Sequence, residues 1–439
     1  MNIKRKIAIA AVPAVMALAS TSVDSKILLM SQEGWEVSFD GAANAFIMKN
    51  SVSNVPDSSG GTGNIAFDTY GGVAGGNDDT SIVTGLLPNV WGMTLKAPTA
   101  NGLDVSMRLG LYTHMNGGEN ALGNGQINIR ETSGSVAGSF GTVLVGRSLG
   151  IHQSNAILND MLLFGVGAAA SAGNNNTTLG RIGLGYLYTD FRPQVSWVLP
   201  GMDALNGNFG AKIGIFDPDD VVADSAAFSA TDKSSPRVEA QITYNGGLGD
   251  LGINLWVDGS YQNTERSEAE ASAYNSNDGP GVNTADVKNT RDTDVDSASV
   301  GFGTKVSYQG FSIVATGFYA NAQGIRGQKA VQGLGQTGAL DDVGTERKTY
   351  GGYLQGTYDF GQGTSAGYSY GGNCLKRTGN DIQARGVMNC QTMHSGMIWH
   401  NVTDNFRLIA EGGYTEKSWY LADTEQEDSF GGVGAFFFW

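Results

Sequence analysis

The chain has 439 residues, of which 65 are Gly and only 9 Pro, with 16% charged residues and a formal net charge of −15. That length suits two or three ordinary soluble domains or one large barrel. No run approaches the roughly 18 apolar residues of a membrane-spanning helix, and the acidic balance argues against nucleic acid, whose phosphates need a basic face.

At the N-terminus, Lys4, Arg5 and Lys6 precede the apolar run Ile7 to Met16, and Ala17-Leu18-Ala19 forms an A-x-A cleavage site. Residues 1–19 therefore read as a secretory signal, and residues 20–439 as one mature barrel domain. In an exported chain the two cysteines, Cys374 and Cys390, are expected to form a disulfide that staples a loop.

From there the pattern has period two almost throughout, in segments of about ten residues. Strands in one direction are expected to start near Gly34, Leu103, Phe140, Asn208, Asp250, Phe311, Thr364 and Asn405. Those in the other direction start near Ser81, Gly125, Arg192, Pro236, Ser297, Arg347, Asn389 and Asp428. Arg181 to Tyr188 also alternates, but barrels of this kind carry an even strand number, so that stretch is assigned to a loop. Tight turns such as Gln309-Gly310 alternate with long polar ones such as Glu265 to Asp296. The fold class is all-β: a transmembrane, antiparallel, up-and-down barrel of sixteen strands whose two ends face different environments.

Parity assigns the faces. Leu103, Val105, Met107, Leu109 and Leu111 point to lipid, and Asp104, Ser106, Arg108 and Tyr112 inward. Ala211, Ile213 and Ile215 point out and Lys212 in; Val238, Ala240, Ile242 and Tyr244 point out, and Arg237, Glu239, Gln241 and Thr243 in. Lipid enforces such sorting, because Arg or Lys at mid-depth costs about 2–4 kcal/mol. On the first strand the outward face passes from Trp35, Val37 and Phe39 to Gly41, Ala43 and Ala45, small residues that let another wall approach, which points to an oligomer contact. The last strand ends in Phe437 and Trp439, an outward aromatic terminus expected to act as the assembly signal, while Phe436 and Phe438 fall on the lumen side. If those two face water, the segment Asp24 to Met30 is expected to cap them.

No enzymatic constellation is present, and no metal or cofactor is called for: His114, His152, His394 and His400 lack metal spacing, and neither G-x-S-x-G nor a P-loop occurs. What stands out is a row of cations, Lys96, Arg108, Arg130, Arg147, Arg192 and Lys212, mostly on inward parity. Ser148 to Phe191 is the longest loop and contains the apolar run Met161 to Gly167. Burial of that run would fold the loop into the lumen and set Asp160 opposite the cations as a constriction. The competing reading has each arginine paired with a wall acid such as Glu131. Asp286, Asp292, Asp294 and Asp296 make the fifth external loop a solvated acidic segment. Tyr112, Trp256 and Tyr353 are inward aromatics, too scattered for a solute slide.

The segments GLLPNVWGMTLKAPTANGLDVSMRLGLYTH (Gly85 to His114), GSFGTVLVGRSLG (Gly138 to Gly150), RPQVSWVLPG (Arg192 to Gly201) and NGNFGAKIGIFDP (Asn206 to Pro218), with the terminal aromatic, resemble the Gram-negative general porins. The resemblance implies a homotrimer in the outer membrane, in contact with lipid and lipopolysaccharide. It implies a water-filled channel for passive diffusion of small hydrophilic solutes and ions. It also implies an eyelet of Arg108, Arg130 and Arg147 against Asp160. The Asn-rich, acid-poor third loop departs from that pattern and implies a weaker transverse field. Two alternatives are a substrate-specific channel and a surface-adhesion or structural barrel with a plugged lumen.

Overall fold

The computed structural model describes residues 26–53, 66–67, 78–115, 127–168, 177–223, 229–266, 294–327, 338–341, 344–379, 381, 385–420 and 425–439. The expected signal at residues 1–19, with Asp286 and Asp292, lies outside the described residues.

Among the described residues, sixteen antiparallel strands form the wall. They are β1 (Trp35–Val52), β2 (Asp78–Val83 and Asn89–Lys96), β3 (Asp104–Thr113), β4 (Asn128–Gly138), β5 (Gly141–Leu149), β6 (Phe191–Val198, continued by Met202–Ala204), β7 (Gly207–Phe216) and β8 (Arg237–Leu248). After these come β9 (Leu251–Glu265), β10 (Asp294–Tyr308), β11 (Phe311–Asn321), β12 (Lys348–Gly361), β13 (Thr364–Lys376), β14 (Met388–Thr403), β15 (Phe406–Trp419) and β16 (Gln426–Phe438). Every start lies within three residues of its expected position. Arg181 to Tyr188 runs through turns and isolated bridges outside the wall. Asp294 and Asp296, expected in the fifth external loop, belong instead to β10, where Asp296 accepts hydrogen bonds from Tyr261 (2.8 Å) and Asn263 (3.1 Å).

The ring closes where β16 pairs with β1, from Ala42 opposite Phe438 to Val52 opposite Asp428. Closure pairs the last strand with the first, so the sheet is not left open at its two ends. Below Trp439 the vacant side of β1 is taken by an N-terminal arm, Ile27–Gln32, which runs antiparallel to it from Ile27 opposite Phe39 to Gln32 opposite Trp35. The turn Glu33-Gly34, with both φ angles positive at 52° and 83°, makes that reversal in two residues. A side chain at Gly41 would strike the Trp439 ring, which packs 4.8 Å from Trp91 and 5.9 Å from Phe39.

Outward parity carries the exposed apolar side chains: Met107, Ile129, Val145, Ile213, Ile242, Val257 and Phe302 among them. Their in-strand neighbours Glu239, Gln241, Asp258 and Ser260 are buried on the opposite face. The wall is thus apolar outside and polar inside, the sorting expected in lipid.

The second strand has a gap at residues 84–88 that the sequence did not announce. Asn44 fills it like a missing rung: its side chain donates to Leu87 O (2.8 Å) and accepts from Gly85 N (2.8 Å), while Asn44 N donates to the Asn89 side chain (2.7 Å). Leu86 N, freed from the ladder, donates to Gly165 O (2.9 Å) in the long loop after β5. Gly85 is required there, since a Cβ would lie 2.4 Å from that same oxygen.

Candidate functional site

The segment between β5 and β6 is held by wall strands around the ring, always through their inward residues. Glu239 on β8 accepts from the amides of Ile151 (2.7 Å) and His152 (2.9 Å). Asp258 on β9 meets His152 Nδ1 (2.6 Å) and Gln153 N (3.0 Å). On β12, Tyr353 donates to Ala156 O (2.7 Å), and Gln355 accepts from Met161 N (2.7 Å). Across the ring, Glu411 on β15 accepts from Val166 N (2.7 Å) and Gly167 N (2.8 Å). A segment bonded to the inner faces of these four strands crosses the lumen. Hydrogen bonds to a charged partner contribute roughly 1.5–3 kcal/mol each, so these wall carboxylates are strong anchors.

Local sequence explains the path. Ser154–Leu158 forms one helical turn, and Met161–Phe164 a 3₁₀ turn whose first amides are capped by Asp160, accepting from Leu162 N (3.0 Å). The apolar run then packs on the wall: Leu162, Leu163 and Val166 join one buried cluster with Phe46, Met397, Ile409 and Phe436. Phe164 meets Phe436 and Phe438 edge-on at 5.5 and 6.0 Å, so these two do not face water and the N-terminal arm does not cap them.

The return pass, residues 177–190, is buried against β12, β13 and β14. Arg181 donates to Met393 O (3.3 Å) and to the Ser369 hydroxyl; Asn373 accepts from Gly185 N (3.0 Å). Asp160 joins the two passes: Tyr186 donates to it at 2.9 Å, and Arg181 Nε stands 3.9 Å away, both side chains wholly buried. Burial pushes the Asp160 carboxyl above its ordinary range, opposed by Arg181 and by the hydrogen bonds from Leu162 and Tyr186.

Beside this crossing segment lie two cavities of mixed lining. One, of about 330 Å³, sits against β3–β7 and is lined by Arg108, Glu131, Lys212 and a set of Ser and Thr hydroxyls. The other, of about 810 Å³, sits against β9–β15 and includes Asp250, Lys305, Gln355, Asn401 and Arg407.

This architecture matches solved structures. The outer membrane channel DcaP of Acinetobacter baumannii superposes with a TM-score of 0.62 at 14% identity, over 94% of this chain and 99% of that one. The fold is that of the outer-membrane porins. The anion-selective porin from Comamonas acidovorans gives a TM-score of 0.56 at 14% identity, over 92% and 100%. OmpT of Vibrio cholerae gives 0.52 at 15%, over 94% and 99%. No protein-family model and no curated protein matches the chain.

Within this porin fold the expected constriction is rearranged. Asp160 does not oppose Arg108, Arg130 and Arg147; it is buried with Arg181 and Tyr186, because its low exposure demands a partner close by. Arg108 is held bidentately by Asp40 (2.6 and 2.9 Å) and touches Glu131 (3.3 Å), so the wall-acid reading applies to it. A register shift opposite Gly110 turns both Arg130 and Glu131 away from simple alternation. Arg130 lies over the rings of Tyr112 (5.4 Å) and Phe191 (5.9 Å). Arg147 occupies the rung between Thr132 and Pro193, just past Gly146 at φ 128°, and makes no ion pair among the described residues. Arg192 pairs with Asp219 near the outer end of β6. Lys96 is at the opposite rim, half exposed and 3.9 Å from Glu36. Arg108 and Lys212 line the same cavity.

Cys374 and Cys390 are disulfide-bonded and stand directly opposite each other on β13 and β14. Tyr112, Trp256 and Tyr353 are buried. The anchoring acids Asp40, Asp258 and Glu411 escaped a reading that searched inward parity for cations; the same parity applied to acids finds them.

Proposed function

We propose that the protein is an outer-membrane channel through which small hydrophilic solutes and ions diffuse past the segment between β5 and β6. The observation that carries this reading is the pair of cavities flanking that segment, inside a ring whose outer face is apolar and whose inward strand residues are largely polar. Apolar area facing out suits lipid and lipopolysaccharide, and a polar interior suits water. DcaP is an outer membrane channel and the Comamonas protein an anion-selective porin, which supports a channel here and a Gram-negative outer-membrane location. The small outward residues Ala43 and Ala45 on β1 support assembly as a homotrimer, as does the trimer form recorded for OmpT. Such a protein makes and breaks no bonds; size exclusion and wall charge do the sorting.

The experiment is liposome swelling with sugars of graded size. Swelling rates should fall steadily with solute size. Rates equal to those of protein-free vesicles would refute the channel.

A second reading is a plugged structural barrel. It is favoured by the return pass, where Arg181, Tyr186 and Leu187 are buried and fill the side of the lumen against β12–β14. It predicts no swelling with any sugar.

A further inference from the structure

We propose that the cavity against β3–β7 is a binding subsite for a polyhydroxylated monocarboxylate, a sugar acid, so that the channel handles this solute class saturably. The inference rests on the channel reading above and names a substrate class for it.

Charge is the first argument. Arg108 is held by two carboxylates, Asp40 at 2.6 Å and Glu131 at 3.3 Å. Lys212, on the inward face of β7, makes no hydrogen bond or ion pair among the described residues, yet it lines the same cavity. Arg108 with its two carboxylates carries one net negative charge and Lys212 one positive, so the cluster is neutral in sum, and Lys212 is the cavity's one lining charge that has no partner among the described residues. Lys212 can pair with one carboxylate of a ligand, and a second carboxylate would be left unpaired beside Glu131.

The second argument is the lining. Ser133, Thr142, Ser148 and Ser196, with the side-chain amide of Asn155, face the same space, and none of these side chains makes a hydrogen bond among the described residues. Each hydroxyl can donate and accept, as can an amide. Such groups match the alternating donors and acceptors of a polyol, while Leu144, Leu158 and Trp197, on the same lining, offer apolar surface to its C–H faces. A site built to pair hydroxyls discriminates strongly against analogues that lack them.

Size agrees. A volume of about 330 Å³ falls at the lower end of the ~300–1,000 Å³ range of small-molecule sites. The roof is the helical turn Ser154–Leu158 of the crossing segment, whose Ser154 is held by Gln241 (3.2 Å). The subsite thus sits beside the narrowed part of the lumen, where a bound solute obstructs ion flow.

The test is a titration of the purified full-length protein in planar bilayers, in dilute potassium chloride, with potassium gluconate, potassium acetate and sorbitol as probes. Gluconate should reduce single-channel current along a saturating curve. Acetate, with the charge alone, and sorbitol, with the hydroxyls alone, should each require at least about tenfold more. In Lys212→Gln the gluconate half-point should rise about tenfold. Ser133→Ala together with Ser196→Ala should raise it for gluconate and leave acetate unmoved, and this pair serves if the lysine variant does not fold. Current steps in the wild type with a linear gluconate response overturn the subsite and leave the channel standing, and so does an unmoved half-point in the variants. Absence of steps overturns the channel reading itself.

Discussion

Replacing Arg181 by Met tests how the two passes of the crossing segment are held together. Arg181 is wholly buried, with Nε 3.9 Å from Asp160, hydrogen bonds to Leu184 O (3.2 Å) and Met393 O (3.3 Å), and its guanidinium 5.7 Å from the Tyr353 ring centre. Met fills comparable volume but leaves the Asp160 carboxylate with only Leu162 N and the Tyr186 hydroxyl. Removing one partner of a buried pair costs about 3–5 kcal/mol. At about 1.4 kcal/mol per decade, that is roughly two to three and a half decades in the opening equilibrium of residues 177–190. The wall ladders of β12 to β14 do not include Arg181, so the barrel should persist while the segment loosens. Limited proteolysis in detergent reads this directly, because fast local opening makes the cleavage rate follow the open population. Cleavage within 177–190 should accelerate by at least about a hundredfold, with the folded barrel unchanged by unheated electrophoresis. Adding Asp160→Asn should recover part of the loss, since the stranded charge is then gone. Wild-type cleavage in Arg181→Met, or a double variant cleaved as fast as the single one, would refute the clasp.

Glu411→Gln should weaken the far anchor, where Val166 N and Gly167 N donate at 2.7 and 2.8 Å. A loss of about 1.5–3 kcal/mol would make single-channel closures at least several-fold more frequent, and unchanged dwell times would count against it. Lys96→Gln should leave the reversal potential in a salt gradient where it was, since a half-exposed rim pair contributes about 0–1 kcal/mol; a clear shift would return Lys96 to the ion path. Cys374→Ser with Cys390→Ser releases a loop of sequence separation 16, a loss of about 3 kcal/mol in the chain-entropy account. The temperature at which the folded electrophoretic band is lost should drop, and conductance should stay; an unchanged temperature would contradict a stabilising bond.

Strand number, strand starts and faces were legible because lipid imposes a strict alternation and the tight turns punctuate it. Val238, Ala240 and Ile242 are exposed and Arg237, Glu239 and Gln241 buried, as parity requires. The site was less legible. One register shift in β4 moves Glu131 onto the face where it meets Arg108, and no local residue pattern announces it. The apolar run after Asp160 correctly pointed inward, but which groups received it depended on Glu239, Asp258 and Glu411 converging from distant strands. The partner of Asp160 lay 21 residues on, inside the stretch Arg181 to Tyr188, whose alternation looked like a strand and proved to be a buried turn. Phe436 and Phe438 looked water-facing because strand parity alone cannot foresee that Phe164 covers them.

Planar-bilayer recording of the purified wild-type protein tests the channel most directly. The account predicts discrete, ohmic current steps, in groups of three if the trimer is the unit. A protein shown to be folded and inserted, yet giving no steps across a wide voltage range, would contradict it and leave the plugged barrel.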